Sequence, residues 1–383
     1  MPSQNSGGSY VVEPTDEPNC TCPDHETRGG KCKHVFAVEY TIQRERNSAG
    51  ETTVTESVKV KYSQTWSAYN AAQVNEKERV ATLLRDLYAA IENPVQGRGR
   101  PRLPISDSVF CAVMKVYGGA SGRRTMTDLR YFADKGYIDK APHYNSVFNE
   151  LESATVTEIL VAMIEESARP LAAVETDFAI DSSGFSTSDY RRWFSTKYGR
   201  EMTMTKWLKA HVMVGTRTNV VTAVEITNAY DHDSHMFRPV LESTKKRFNV
   251  ERVSADKAYS SSRIIELVDE AGATAYIPFK KNATGNSPCR FYGNKRKALW
   301  SKAFHLFMYR REEFLTHYHK RSNVETTFSM IKAKFGSRIR SKTETAQRNE
   351  VLCKVLCHNL CCLVSAFYEL GIEASFWQGG SAA

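Results

Sequence analysis

Apolar residues follow a helical period in the first half of the chain and a strand-like rhythm after about residue 171. Over 75–91, Val80, Leu83, Leu84, Leu87 and Ile91 recur at three- and four-residue intervals, which predicts an amphipathic helix. Ser106 opens a second predicted helix that reaches Tyr117 and stops at Gly118-Gly119. Two shorter helices are expected over 127–134 and 144–152, separated by Lys135-Gly136-Tyr137 and Ala141-Pro142. From Leu171 the texture changes. Short apolar runs over 174–180, 209–214, 220–226, 250–255 and 274–278 read as strands, with helices over 235–248 and 261–271. Three strands, helix, strand, helix, strand, helix is the order of an α/β mixed sheet flanked by helices.

The chemistry concentrates on a later segment, Tyr318-His-Lys-Arg321-Ser-Asn-Val-Glu325-Thr-Thr-Phe-Ser-Met-Ile-Lys332. Wound at about 100° per residue, it gathers Tyr318, Arg321, Glu325 and Lys332 into an arc of roughly 60°. Val324, Phe328, Ile331 and Phe335 fall in the adjacent arc and form a core face. Taken alone, this is equally a surface helix with an i,i+4 ion pair. Two aspartates elsewhere alter the balance. Asp181 follows the first strand in Asp181-Ser-Ser-Gly184-Phe185, and Asp256 follows the fourth in Asp256-Lys-Ala-Tyr259. The carboxyl ends of strands are where α/β sheets place their chemistry. Trp300, in a basic stretch, either stacks on an unpaired base or fills a core.

Charge points to a partner. The chain of 383 residues carries a net +9, yet 280–342 alone holds 16 Lys and Arg against Glu312, Glu313 and Glu325, a local +13. Such a concentrated positive field suits a polyanion. Gly97-Arg98-Gly99-Arg100-Pro101-Arg102 resembles an AT-hook, in which Arg98 and Arg100 enter a minor groove; a basic linker is the alternative. The short helices with Arg123 and Arg124 at a turn suggest a helix-turn-helix-like DNA module, or a plain helical scaffold. No apolar run approaches the ~18 residues of a membrane span, and the polar N-terminus lacks a signal-peptide pattern. Nine cysteines at this length fit reduced thiols and a cytoplasmic, nucleoid-associated protein. Cys353, Cys357 and Cys361 recur at i, i+4, i+8 with Cys362 alongside, a buried helical face; a metal site using His358 is the minor reading.

Near the start, 1–18 is rich in Ser, Gly, Pro and acids and is expected to be disordered. Cys20-Thr-Cys22 and Cys32-Lys-His34 then offer three thiols and an imidazole for one tetrahedral Zn2+. Their Cys-x-Cys…Cys-x-His spacing resembles the SWIM zinc finger. A strand over 52–62 completes this module.

Asp181, Asp256 and Glu325 together give a specific resemblance. The spacing Tyr318-x2-Arg321-x3-Glu325-x6-Lys332 matches the Tyr-Arg-Glu-Lys motif of DDE transposases of the IS4/IS5 insertion-sequence superfamily. Asp181-Ser-Ser-Gly-Phe and Asp256-Lys-Ala-Tyr resemble the family's two aspartate blocks. Lys209-Ala-His211 and Asn228-Ala-Tyr-Asp231 are similar to the polar blocks between them. Only 68 residues separate Asp256 from Glu325, so the likeness is to the IS5-like, uninterrupted form. The resemblance implies an RNase H-like catalytic domain over 171–368. Before it would come a helical DNA-binding region over 63–170 and the zinc module over 19–62; after it, a tail over 369–383. It implies catalysis by Asp181, Asp256 and Glu325 holding Mg2+ or Mn2+, with Tyr318, Arg321 and Lys332 on DNA. Three carboxylates are the donor set that a pair of hard cations about 3.5–4 Å apart requires. Double-stranded transposon ends and target DNA are the implied partners, with a homodimer pairing two ends and no membrane. A nuclease or resolvase that cuts without joining, or a retired transposase acting as a DNA-binding regulator, are the alternatives. His211, Asp231 and His232 stand beside the triad in these blocks as supporting or structural groups.

Overall fold

The structure, a computed structural model, describes residues 11–13, 19–21, 42–46, 52–56, 65–93, 103–187, 207–286 and 293–377. The chain divides into two compact units, Met1–Gln64 and Thr65–Ala383.

In the first unit, β1 (Val12–Glu13) pairs antiparallel with β2 (Asn19–Cys20), and β3 (Ile42–Arg46) with β4 (Thr52–Glu56). Val11 extends the first ladder: its N–H donates to Thr21 Oγ1 and its carbonyl accepts from Thr21 N. The N-terminal stretch is therefore not unstructured throughout, because Val12–Glu13 is held as a strand. The run Thr52–Glu56, mostly β-branched, lies on the strand expected over 52–62, of which 57–62 are outside the described residues. Cys20 is buried on β2. Cys22, Cys32, His34, Arg98 and Arg100 lie outside the described residues.

The second unit opens with α1 (Trp66–Tyr88), which starts earlier than the sequence pattern suggests because Ala72 and Glu76 extend the buried stripe of Val80, Leu84 and Leu87. Next come α2 (Ile105–Gly118), α3 (Gly122–Asp134), α4 (Tyr144–Leu151) and α5 (Ala154–Ala168). Pro104, not Ser106, stands at the N-cap of α2. Gly119 closes α2 in the left-handed conformation at φ 61°, its N–H on the carbonyl of Val116. Helix α5, not among the elements expected from the sequence, buries Val156, Leu160, Met163 and Ile164 on one face.

The sheet follows: β5 (Asp177–Ser186), β6 (Trp207–Gly215), β7 (Val221–Asn228), α6 (Asp233–Lys245), β8 (Arg252–Ala255), α7 (Ser262–Glu270) and β9 (Thr274–Tyr276). Its order is β7-β6-β5-β8-β9. β5, β6 and β7 form an antiparallel meander, while β5, β8 and β9 run parallel. This is the element order read from the sequence, and a mixed sheet consistent with an RNase H-like transposase domain. Helices α8 (Asn294–Tyr309), α9 (Arg311–Tyr318) and α10 (Ser322–Phe335) lead to the long α11 (Glu344–Leu370).

Helix α11 is long and apolar enough to cross a membrane by length and composition, yet 78% of its apolar window is buried inside the fold. Cys353, Cys357 and Cys362 are buried and Cys361 partly so, the buried helical face that the cysteine spacing predicts. Asn359, fully buried, takes both backbone groups of Val221 on the edge strand β7: its Oδ1 accepts from Val221 N (2.8 Å) and its Nδ2 donates to Val221 O (2.7 Å). An unpaired strand edge inside a core would otherwise leave buried polar groups unsatisfied. His358 Nε2 donates to the carbonyl of Asn219 at 2.8 Å, a structural histidine and not a ligand. One apolar cluster runs from α1 through the sheet to α11, so no break in packing falls near residue 170.

Candidate active site

Asp181 lies in mid-strand on the β6 side of β5, where pairing continues to Ser186. On the β8 side the ladder ends at Ile180 with Ala255. Asp181 and Asp256 are therefore the next residues of two adjacent parallel strands, just past their last pair. The difference from a simple strand end matters: β5 cannot bend away at Asp181, because β6 holds it for five more residues. Ser182 N donates to Asp181 Oδ1 at 2.8 Å, and Lys257 N donates to Asp256 Oδ1 at 2.6 Å, so a local amide fixes each carboxylate.

Glu325 comes from α10. Val324, Phe328, Ile331 and Phe335 are buried against the sheet, as the wheel requires. After α10, the loop at Ser337 and Ile339 bonds to both backbone groups of Ser186, and Lys354 and Glu350 of α11 take up its carbonyls and amides at 336–341. The helix end is thereby clamped to the far end of β5. The motif is not one continuous helix, however. Tyr318 ends α9, His319–Arg321 forms a 3₁₀ turn, and α10 begins at Ser322.

Arg321 links two of the carboxylates. Its Nη1 donates to Asp181 Oδ2 at 2.9 Å and its Nη2 to Glu325 Oε1 at 2.5 Å. Burial raises the Asp181 pKa, helped by the negative charges of Asp256 and Glu325 and opposed by the Ser182 amide and Arg321. The three acids thus share one electrostatic neighbourhood. Lys332 donates to Ser183 Oγ at 2.6 Å and lies over the Phe185 ring; burial alone lowers its pKa. Tyr318 stacks on Phe314, centroids 5.7 Å apart. Lys320, by contrast, is committed with Arg252 to Asp177.

On the opposite face of the meander, α6 contributes Asp233, which the sequence reading missed. Its Oδ1 accepts from Ser182 Oγ at 2.9 Å and from Lys209 Nζ, and lies 3.5 Å from His211 Nδ1. His211 is fully buried, its Nε2 within 2.8 Å of Thr227 Oγ1, and burial lowers its pKa. Asp231 instead accepts from Asn228 N within the β7–α6 turn, and His232 pairs with Ser234. The only signal for Asp233 was its place two residues after the block Asn228-Ala-Tyr-Asp231. Tyr259 is also buried, and its hydroxyl has no hydrogen-bond partner among the described residues; burial and the charges of Asp233, Asp181 and Asp256 raise its pKa. An orphaned phenol beside carboxylates marks a site that is not internally complete.

Trp300 takes the core alternative. It is 5% exposed, its indole N–H donates to Thr284 O at 2.9 Å, and its ring meets Phe279 edge-on at 4.8 Å. A base cannot reach that ring.

The donor set of Asp181, Asp256 and Glu325, all hard oxygens, suits Mg2+ or Mn2+. As placed, the guanidinium of Arg321 stands between Asp181 and Glu325. Among the described residues, no three His, Cys, Asp or Glu side chains are grouped closely enough to hold a metal ion. The residues fit the cation in kind, on condition that Arg321 moves.

Residues 173–360 match the family model of the transposase DDE domain. The matched span contains β5 to β9, α6 to α10 and all three acids. No curated protein matches the chain.

Proposed function

We propose that the protein is a DNA transposase of the IS5-like, uninterrupted type, which binds transposon ends, cleaves a strand and joins the freed 3′ end to target DNA. One observation carries the reading most of the way: Asp181 and Asp256 stand at the same level just past the last pair of two adjacent parallel strands, and Arg321 joins Glu325 of α10 to Asp181. The family match over the same residues supports it.

In this reading Asp181, Asp256 and Glu325 hold one or two divalent cations, which supply Lewis acidity and an activated oxygen nucleophile when bound. The chain's own residues do the positioning. Lys332 and Arg321 donate to phosphate oxygens, and Tyr318 borders the same stripe. Asp233 holds Ser182, and through it the backbone that fixes Asp181. Hydrolysis breaks one P–O bond, leaving a 3′-hydroxyl and a 5′-phosphate; in the joining step that hydroxyl displaces a 3′ oxygen of the target strand. Helices α2 to α4 supply base recognition, and Cys20, Cys22, Cys32 and His34 bind one structural Zn2+. The working form is a homodimer on two ends, in the cytoplasm.

The test uses duplexes bearing the DNA that flanks the coding region, with Mg2+. Wild-type protein should cleave at the element's end and transfer it to a second duplex, while Asp181→Asn should do neither and keep its duplex affinity within about threefold. Cleavage without joining by the wild type would leave a nuclease. Parallel loss of binding in Asp181→Asn would show that Asp181 belongs to the DNA surface and not to the chemistry.

A further inference from the structure

Arg321 occupies the oxygen atoms that a cation would need. Its two Nη atoms fork across Asp181 Oδ2 and Glu325 Oε1, and no three carboxylates or other ligands are grouped for metal among the described residues while it does so. A guanidinium is also the side chain best shaped for a phosphate. The same group therefore has two exclusive partners, the acids or the DNA. Its backbone setting allows the exchange: Arg321 is the last residue of the 3₁₀ turn between α9 and α10, and short 3₁₀ pieces between helices are where a chain hinges. Its neighbours are engaged elsewhere, Lys320 with Asp177 and Lys332 with Ser183, so neither serves as counter-ion to the Asp181–Glu325 pair.

We propose that Arg321 is an interlock between cation loading and DNA engagement. In the unloaded protein it closes the Asp181–Glu325 pair; it must leave before those carboxylates can ligate a divalent cation, and the released guanidinium then donates to a DNA phosphate. The inference rests on the transposase reading and adds regulation to the same site. Coupling of this kind is reciprocal: DNA tightens cation binding by the factor by which the cation tightens DNA binding. The interlock is a modest one. Arg321 is 20% exposed in its side chain, Asp181 24% and Glu325 57%. Ion pairs open to solvent are weak competitors, so the effect should be roughly tenfold in cation affinity and not a blockade.

The test has two parts on the full chain. Calorimetric titration with Mg2+ alone, without DNA, compares wild type, Asp181→Asn, Arg321→Gln and Lys332→Gln. Arg321→Gln should bind Mg2+ about tenfold more tightly, and Lys332→Gln, which loses the same charge, should change less than about threefold. Arg321→Lys keeps the charge without the fork and should fall between wild type and Arg321→Gln; it also serves if Arg321→Gln does not fold. Duplex binding is then measured across a salt series with and without Ca2+. Ca2+ should steepen the wild-type slope by about 0.9, one phosphate contact, relative to its effect on Arg321→Gln. Equal or weaker Mg2+ binding by Arg321→Gln, or equal tightening in Arg321→Gln and Lys332→Gln, overturns the interlock. If the wild type and Asp181→Asn show the same absence of Mg2+ binding, the transposase reading fails instead.

Discussion

Ser182 donates its hydroxyl to Asp233 at 2.9 Å, one residue past Asp181, so the strand that carries a proposed catalytic acid is fastened from the face opposite to it. Asp233 also holds Lys209 and faces His211. Asp233→Ala should strand Lys209 without its partner and loosen Ser182, at a cost of about 2 kcal/mol. Urea unfolding measures that cost. Cleavage should fall by about tenfold or more with duplex affinity unchanged, because no proposed DNA contact is removed. Full cleavage activity in a destabilised variant would reduce Asp233 to a plain structural tie.

The sheet and its element order were legible because β5 to β9 are short apolar runs separated by turn residues, and Asp256 stood at a visible strand end. Asp181 was less plain. The sequence shows a carboxylate followed by Ser-Ser-Gly, which reads as a turn, yet β6 supplies partners through Ser186 and overrides that local preference. The wheel over 318–332 found the buried face of α10 but treated a 3₁₀ break as helix, since no proline or glycine marks it. Asp233 and Tyr259 were beyond reach, because their roles come from α6 and the 3₁₀ turn after β8 folding back onto β5.

Trp300 should matter for stability and not for DNA. Trp300→Ala empties a site packed by Phe279 and Ile265 and leaves Thr284 O without its donor, which should cost about 3–5 kcal/mol. Trp300→Phe keeps most of the volume and should bind duplex as the wild type does. A selective loss of affinity for ends with unpaired bases in Trp300→Phe would restore the stacking role.

Gly215 is a stability site. A Cβ there would overlap the carboxyl group of Glu175, which is buried and accepts from Arg217 N, Thr218 N and Thr218 Oγ1 to close the β6–β7 turn. Gly215→Ala should therefore destabilise by ~3 kcal/mol, from overpacking and from the carboxylate pushed off its donors. A thermal midpoint equal to wild type would mean that the turn opens freely.

His358 should make stability pH-dependent. Burial lowers its pKa to about 4, against an ordinary value near 6.5. The unfolded chain then binds the extra proton between those values, so stability is full above about pH 6.5 and falls as pH drops towards 4, by ~3 kcal/mol at most. His211, lowered by burial as well, acts in the same direction. His358→Gln should lose stability at pH 7 and show a shallower decline from pH 6.5 to 4 in urea titrations. An unchanged slope would mean that His358 charges without unfolding the chain.

Two lysines of the basic segment 280–342 should separate by what already holds them. Lys320 is bound to Asp177, which Arg252 shares, while Lys332 has a hydroxyl and two aromatic faces but no carboxylate among the described residues. A lysine whose ammonium is neutralised within the fold displaces few counterions from DNA; one that is not should displace about one. Lys332→Met should thus weaken duplex binding at low salt and flatten the log K against log salt slope by about 0.9. Lys320→Met should leave the slope within error and lower stability by less than ~1 kcal/mol, since the pair is partly open to water. Both changes should act alike on end sequence and scrambled duplex, because phosphate contacts position and base contacts specify. A preference for the end sequence that vanished with Lys332 would place base readout on α10 and not on α2 to α4. That question cannot be asked by deleting 1–170, because α1 to α5 share one core with the sheet and α11 and their removal would lay that core open. Point changes at Arg123 and Arg124 on α3 are the sound comparison: they should relax the end preference while the slope falls by no more than their own phosphate contacts.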